Sequence, residues 1–185
     1  MHDLIPDHST SSTRIHVCPL RAVPSVVAGC EAAHLVSCLK DELPVETLEA
    51  IAPGNRMRLH IDDIAQPMEG MVAPDAGHVA QLLDFAAAWD RRGPMVIHCW
   101  AGISRSTAAA FIVLCALNPR TPEAAVAQLM RSASPTAYPN RLMIRLGDAA
   151  LGRAGRMVGA VEAIGRGVIA MEAAPFSLPA DLSAL

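Results

Sequence analysis

The chemistry-bearing residues of this 185-residue chain converge on one short stretch, Val96-Ile97-His98-Cys99-Trp100-Ala101-Gly102-Ile103-Ser104-Arg105-Ser106. Pro94 introduces Met95-Val96-Ile97, a continuous apolar run that reads as a short strand buried on both faces. The strand ends at a cysteine. A mostly apolar helix is expected from Ser106 to Leu117, stopped by Asn118-Pro119. A loop curled between a strand end and a helix N-terminus aims successive backbone N–H groups at one point, and the helix dipole adds positive potential. Such a loop holds an anion. Cys99 at its base is favoured as the thiolate, the nucleophilic form. Arg105 can fork two N–H groups onto phosphate oxygens and stabilise charge that grows in a transition state. Gly102 lets the backbone turn without a Cβ clash.

A buried structural cysteine with an arginine nearby by chance is the bland alternative. It suits Cys18, Cys30, Cys38 and Cys115, the last lying mid-helix among apolar neighbours. It does not suit Cys99, where strand, histidine, cysteine, glycine, arginine, hydroxyl and helix coincide. His98-Cys99, five intervening residues, Arg105-Ser106, with Ala101-Gly102 inside, resembles the phosphate-binding loop of the cysteine-dependent protein tyrosine phosphatases. It is most similar to their compact, dual-specificity-like branch, over roughly residues 56–146. The resemblance implies a two-step mechanism: Cys99 attacks phosphorus to form a phosphocysteine, an aspartic acid protonates the leaving oxygen, and water releases phosphate. It also implies that Ser106 donates a hydrogen bond to the departing sulfur and that His98 holds the cysteine backbone. Trp100, Ala101, Gly102, Ile103, Ser104 and Arg105 would then surround the substrate phosphate. Trp100 either packs beneath the loop or forms the rim.

Loss of a phosphate-ester leaving group needs a proton donor. In the family that the loop resembles, this is an aspartate some way before the cysteine, just past a strand and on a movable loop. Arg56 to Asp62 alternates as a strand, with Met57, Leu59 and Ile61 on one face and Arg58, His60 and Asp62 on the other. Asp63 stands 36 residues before Cys99 and opens a stretch punctuated by Pro67, Gly70, Pro74 and Gly77. Asp63 is the preferred acid; Asp62 and Asp75 are the alternatives, and Glu69 reads as a solvated side chain.

Elements must position these groups. Strands are expected over Arg14–Pro19, His34–Leu39 and Arg56–Asp62, and helices over Pro24–Cys30 (closed by Gly29), Val79–Trp89 and Thr121-Pro122 to about Arg131. Pro44 to Ala52 reads as a helix or turn. Asn140 caps a helix to about Leu151, and a glycine-spaced terminal helix follows, its glycines lacking the preceding strand that a nucleotide loop requires. Strands alternating with helices predict an α/β three-layer sandwich with a mostly parallel central sheet, phosphatase-like in layout. Residues 1–13 are expected as a flexible segment, 14–174 as one catalytic domain and 175–185 as a loose tail.

Composition sets outer bounds. Hydrophobic residues make up 52% of the chain and aromatics only 3%, so small aliphatics, including 33 alanines, must fill the core. A net charge of −3 argues against a broad nucleic-acid surface. The longest apolar run, Ala108 to Leu117, is too short to span a bilayer, and the first residues carry no signal core. The expectation is a cytoplasmic protein with reduced thiols, no membrane partner, no cofactor and no metal. The expected partner is a phosphorylated protein or a small phosphomonoester.

The tryptophan-proline-aspartate loop of larger tyrosine phosphatases is absent, and Lys40 and Tyr138 are the only lysine and tyrosine. A shallow pocket follows. The uncharged Trp100, Ala101, Ile103 and Ser104 disfavour highly anionic substrates such as inositol polyphosphates. A small-molecule or inositol phosphate phosphatase stands as the first alternative. A rhodanese-like sulfurtransferase has a shorter loop and no upstream acid, and a non-catalytic phosphoprotein-binding module lacks one of the three reacting groups.

Overall fold

A computed structural model describes residues 13–40 and 49–184. Strand β1 (Arg14–Pro19) leads through a short 3-10 turn into helix α1 (Val23–Cys30), followed by β2 (His34–Cys38) and β3 (Arg56–Leu59). Helix α2 (Ala76–Ala88), β4 (Met95–Cys99), α3 (Arg105–Leu117), α4 (Glu123–Ala133), α5 (Arg141–Ala150) and α6 (Arg156–Ala163) come next, and β5 (Phe176–Pro179) closes the order. The strands form one sheet in the order β3-β2-β4-β1-β5. The first four are mutually parallel, and β5 runs antiparallel to β1. This is the expected α/β sandwich, with a mixed edge.

Strand alternation divides the core between the two faces. Leu35, Val96 and Cys18 point to one side, where Val23 and Val27 of α1 and Ile51 cover them. Ile15, Val17, Val36 and Ile97 point to the other, under the helices α2 to α6. β4 sits at the centre with all five residues buried. Behind it, every residue of α3 from Arg105 to Cys115 is buried. The run Ala108-Ala109-Ala110 keeps that helix narrow enough to pack on all sides, and Gly147 of α5 approaches so closely that a Cβ there would lie 2.7 Å from Ile112 Cγ1.

Several expectations change at element ends. The Arg56–Asp62 strand stops at Leu59, because its partner β2 stops at Cys38, opposite Leu59. The Ile61 amide then donates to the Leu59 carbonyl at 2.9 Å and turns the chain. Glu31, in the left-handed region at φ 50°, ends α1 in place of Gly29. Helix α4 begins at Glu123, capped by the Pro122 position, while the Thr121 hydroxyl donates to the Leu182 carbonyl at 3.4 Å. The helix or turn expected over 44–52 lies largely outside the described residues, as does nearly all of the segment 1–13.

The largest correction is at the C-terminus. Residues 175–185 were expected as a loose tail, yet Phe176–Pro179 pairs along β1, and Leu178, Ala180 and Leu182 are buried. Asn118 holds this segment. Its Nδ2 donates to the Ala180 carbonyl at 3.0 Å, and its Oδ1 accepts from the Leu182 amide at 2.9 Å. A residue read only as a helix stop is a buried clamp between α3 and the end of the chain.

Candidate active site

Cys99 is the last residue of β4, and Arg105 the first of α3, so the loop between them sits at the C-terminal edge of the parallel strands. What shapes the loop is the fate of its carbonyls. Trp100 O accepts from the Leu20 amide at 3.1 Å and Ala101 O from the Ala173 amide at 2.8 Å. Ile103 O accepts from the Tyr138 amide at 2.9 Å, and Ser104 O from the Asn140 amide at 3.2 Å. Four carbonyls are thus tied outward to three neighbouring segments, around Leu20, Tyr138–Asn140 and Ala173, which turns the intervening N–H groups toward the middle of the loop. Gly102 is indispensable there: its φ is 71°, and a Cβ would stand 2.8 Å from the Pro19 nitrogen.

At the base of this cradle Cys99 Sγ and Ser106 Oγ lie 3.1 Å apart, both buried. Arg105 is buried too. Its Nη1 donates to the Ile61 carbonyl at 3.0 Å, which fixes the guanidinium, while its Nε is buried without a hydrogen-bond partner. An unsatisfied buried donor of this kind is expensive unless an anion meets it. His98, beside the cysteine, is wholly buried, with Nε2 2.7 Å from Ser37 Oγ. Burial pushes its imidazole down to about 4; the Cys99 backbone opposes this, and Arg105 adds to it. The ring is therefore neutral at physiological pH, a rigid polar wedge between β2 and β4.

The three candidate acids separate cleanly. Asp63 faces the cradle: its Oδ1 accepts from Ser104 Oγ at 2.7 Å and from Asn140 Nδ2 at 2.9 Å, and its Oδ2 lies 3.8 Å from Arg105 Nε. Asp62 points elsewhere, accepting from the Val72 amide at 2.8 Å with Lys40 Nζ 3.8 Å away. Asp75 is the N-cap of α2 and accepts from the His78 amide at 2.9 Å, a bond that holds its carboxyl below the usual carboxylate range. Asp63 alone of the three touches the loop.

No protein-family model matches the sequence, and a comparison with curated proteins finds no match either. Solved structures do match. DUSP15 superposes with a TM-score of 0.61 at 16% identity, covering 81% of this chain and 89% of that one. Human DUSP28 gives 0.59 at 17%, covering 76% and 92%. The phosphatase domain of Yvh1 from Chaetomium thermophilum gives 0.56 at 17%, covering 77% and 93%. The chain has the compact dual-specificity phosphatase fold.

Within that phosphatase fold, the other cysteines behave as packing residues. Burial pushes Cys18 and Cys115 up to about 12 and raises Cys38 as well, so these thiols stay protonated. Trp100, left open between two placements, is 65% exposed and therefore stands on the rim. Among the described residues no group of three or more His, Cys, Asp or Glu side chains is placed to hold a metal ion. Asn140 is the residue whose part the sequence understates. Its Oδ1 caps α5 by accepting from the Leu142 and Met143 amides, while its Nδ2 reaches Asp63 and the Ile64 carbonyl at 3.2 Å. The cap was legible from Pro139-Asn140 ahead of a helical pattern; a contact across 77 residues was not.

Proposed function

We propose that the protein is a cysteine-dependent phosphatase that hydrolyses phosphate monoesters, with phosphotyrosine in proteins the leading substrate and phosphoserine or phosphothreonine within reach of a shallow pocket. The observation that carries this reading is the cradle: a buried Cys99 Sγ beside the Ser106 hydroxyl, under a loop with four carbonyls drawn outward, with the buried Arg105 Nε free of hydrogen bonds. These groups match the needs of a phosphoryl group in number and position.

The Cys99 thiolate attacks phosphorus, forming an S–P bond as the ester O–P bond breaks. Asp63, as the carboxylic acid, gives its proton to the leaving oxygen. Water then attacks the phosphocysteine, Asp63 takes back a proton, and the S–P bond breaks with its electron pair returning to sulfur. The Ser106 hydroxyl, 3.1 Å from Sγ, donates to the thiolate as it leaves. Loop amides and Arg105 carry the equatorial phosphoryl oxygens through both steps.

The test is turnover of an aryl phosphate by the wild type and by Cys99→Ser, each with and without chelator. Cys99→Ser is expected to lose at least about 10⁴-fold in kcat while still binding phosphate, because cradle and arginine remain. Chelator is expected to leave the wild type unchanged. Near-native turnover by Cys99→Ser would overturn the covalent mechanism.

A further inference from the structure

Among the described residues six large hydrophobic side chains are exposed: Met68, Met71, Trp100, Val168, Ile169 and Met171. All six lie at one edge of the sheet. Met68 and Met71 belong to the loop that leaves the C-terminal end of β3, and Trp100 to the loop that leaves β4. The other three belong to residues 164–175, which cross to the start of β5; since β5 is antiparallel to β1, that start lies at the same edge. In the strand order, β3 and β5 are the two margins of the sheet and β4 lies between them. The apolar side chains therefore flank the cradle from both sides. Exposure reaches 84% for Ile169 and 92% for Met171, so these two stand well out from the surface.

Charge accompanies them. The Arg141 and Arg166 guanidinium carbons lie 5.7 and 5.8 Å from the centre of the Tyr138 ring. Among the described residues neither arginine has a carboxylate partner. Arg166, Val168, Ile169 and Tyr138 line a shallow cavity that shares Ile103 with the phosphate loop. An apolar cluster gathered at a site mouth marks an interaction face, and unneutralised guanidinium groups beside it select an anionic partner. A peptide in a groove would be met from one line of residues. Protruding side chains on both sides of the mouth suit a flat partner that is apolar a few ångströms below an anionic surface. That is a lipid bilayer, and the half-polar ring of Trp100 suits its headgroup level.

We propose that this edge of the molecule docks on an anionic lipid surface, with Trp100, Ile169 and Met171 dipping among the headgroups and Arg141 and Arg166 on their phosphates, so that the cradle meets a phosphate monoester presented at that surface. No spanning segment is needed, because a protein can lie on a bilayer through a few inserted side chains and basic groups. The expectation of no membrane partner rested on spanning length and the lack of a signal core, and neither bears on surface docking. Docking stands on surface chemistry by itself; presentation of a phosphate to the cradle rests on the phosphatase reading.

The experiment is co-sedimentation of the full chain with phosphatidylcholine vesicles, with and without phosphatidylglycerol, beside turnover of a soluble aryl phosphate. The wild type should sediment with the anionic vesicles, and less so at high salt. The double variant Ile169→Ser, Met171→Ser should lower partitioning at least about tenfold, and Arg166→Gln should lower it for anionic vesicles alone. Both should keep native melting temperature and soluble turnover, since the altered side chains are exposed and lie outside the cradle. Docking is overturned if the wild type stays in the supernatant, or if the double variant partitions as the wild type does. It is equally overturned if the double variant binds vesicles normally and instead raises KM for phosphopeptides, which would make the face a protein-recognition surface. Wild-type binding to vesicles without aryl phosphate turnover would uphold docking and refute the phosphatase reading.

Discussion

The loop after Cys99 and the loop that carries Asp63 meet across the site but are held by different means. Residues 100–104 are tied by backbone bonds to three separate segments and lie between a fully buried strand and a helix buried from Arg105 to Cys115. The loop from Asp62 to Asp75 is pinned at its neck, where the Asp62 amide donates to the Val72 carbonyl at 2.8 Å and the Asp62 carboxylate accepts from the Val72 amide at the same distance. Beyond that neck its ties are mostly side chains: Asn140 and Ser104 to Asp63, Asn140 to Ile64, Arg145 to the Ala65 carbonyl and Lys40 to the Gly70 carbonyl. Each such bond contributes only about 1 kcal/mol net. One loop is built into the core; the other is latched by side chains, which leaves it freer to move.

Breaking the rigid member should cost most. Arg105→Lys is expected to lower kcat about 10²- to 10³-fold, since an ammonium cannot reproduce the fork or keep the Ile61 carbonyl bond in the same geometry. Phosphate or vanadate inhibition should weaken in parallel, and an Arg105→Lys enzyme with native inhibition would remove the arginine from the cradle. Disturbing the loop backbone through Gly102→Ala should have a related effect, because the added Cβ meets Pro19 and Cys18.

Changes to the latched member should depend on the substrate. Asp63→Asn is expected to slow hydrolysis of alkyl phosphates about 10²-fold and to remove the high-pH arm of the rate profile, with a smaller loss on activated aryl phosphates whose leaving groups need no proton. Asp62→Asn should leave the profile intact. If Asp62→Asn removes that arm and Asp63→Asn keeps it, the assignment of the acid is wrong.

Asn140→Ala cuts the latch and a helix cap together. It should lower kcat about tenfold and stability by about 1 kcal/mol. Asn140→Asp, which keeps the capping oxygen but loses the donor to Asp63, should restore the stability and not the rate. Recovery of both would reduce Asn140 to a cap.

A further effect, on stability and outside the rate, lies in the core beside the cradle. His98 titrates at about 4 in the folded chain against an ordinary 6.5, because burial disfavours the charged ring. The unfolded chain takes up that proton first, so stability is complete above about pH 6.5 and is lost as pH falls toward 4, by roughly 3 kcal/mol at most. His16 and His34, also lowered by burial, steepen the same slope. Urea titrations at pH 7, 6 and 5 should show a shallower pH dependence for His98→Gln than for the wild type, whatever its absolute stability.

Local signals made the cradle legible. A buried apolar triplet, a cysteine, a glycine, an arginine and an apolar helix follow one another without a break, and the geometry of strand, loop and helix comes from neighbours in sequence. Asp63 was within reach for a similar reason, because alternation through Leu59 and Ile61 placed it just past a strand end. The sequence preferred Asp63 to Asp62 on position alone; its contacts with Ser104 and Asn140, which fold against it from 41 and 77 residues away, were beyond local reading. The tail shows where local reading fails. Ser177 and two prolines around a short apolar pair read as loose chain, yet Arg14 Nε donates to Ser177 Oγ at 2.8 Å and β1 supplies an open edge to pair with. What the sequence by itself determined was therefore the placement of Cys99 and Arg105 at the two ends of the loop in a strand–loop–helix, since periodicity and turn chemistry act over a few residues. That Asp63 lies against Arg105, that Asn140 holds it, and that Phe176–Pro179 pairs along β1 were decided by tertiary structure, because each depends on a partner that only the folded sheet order brings near.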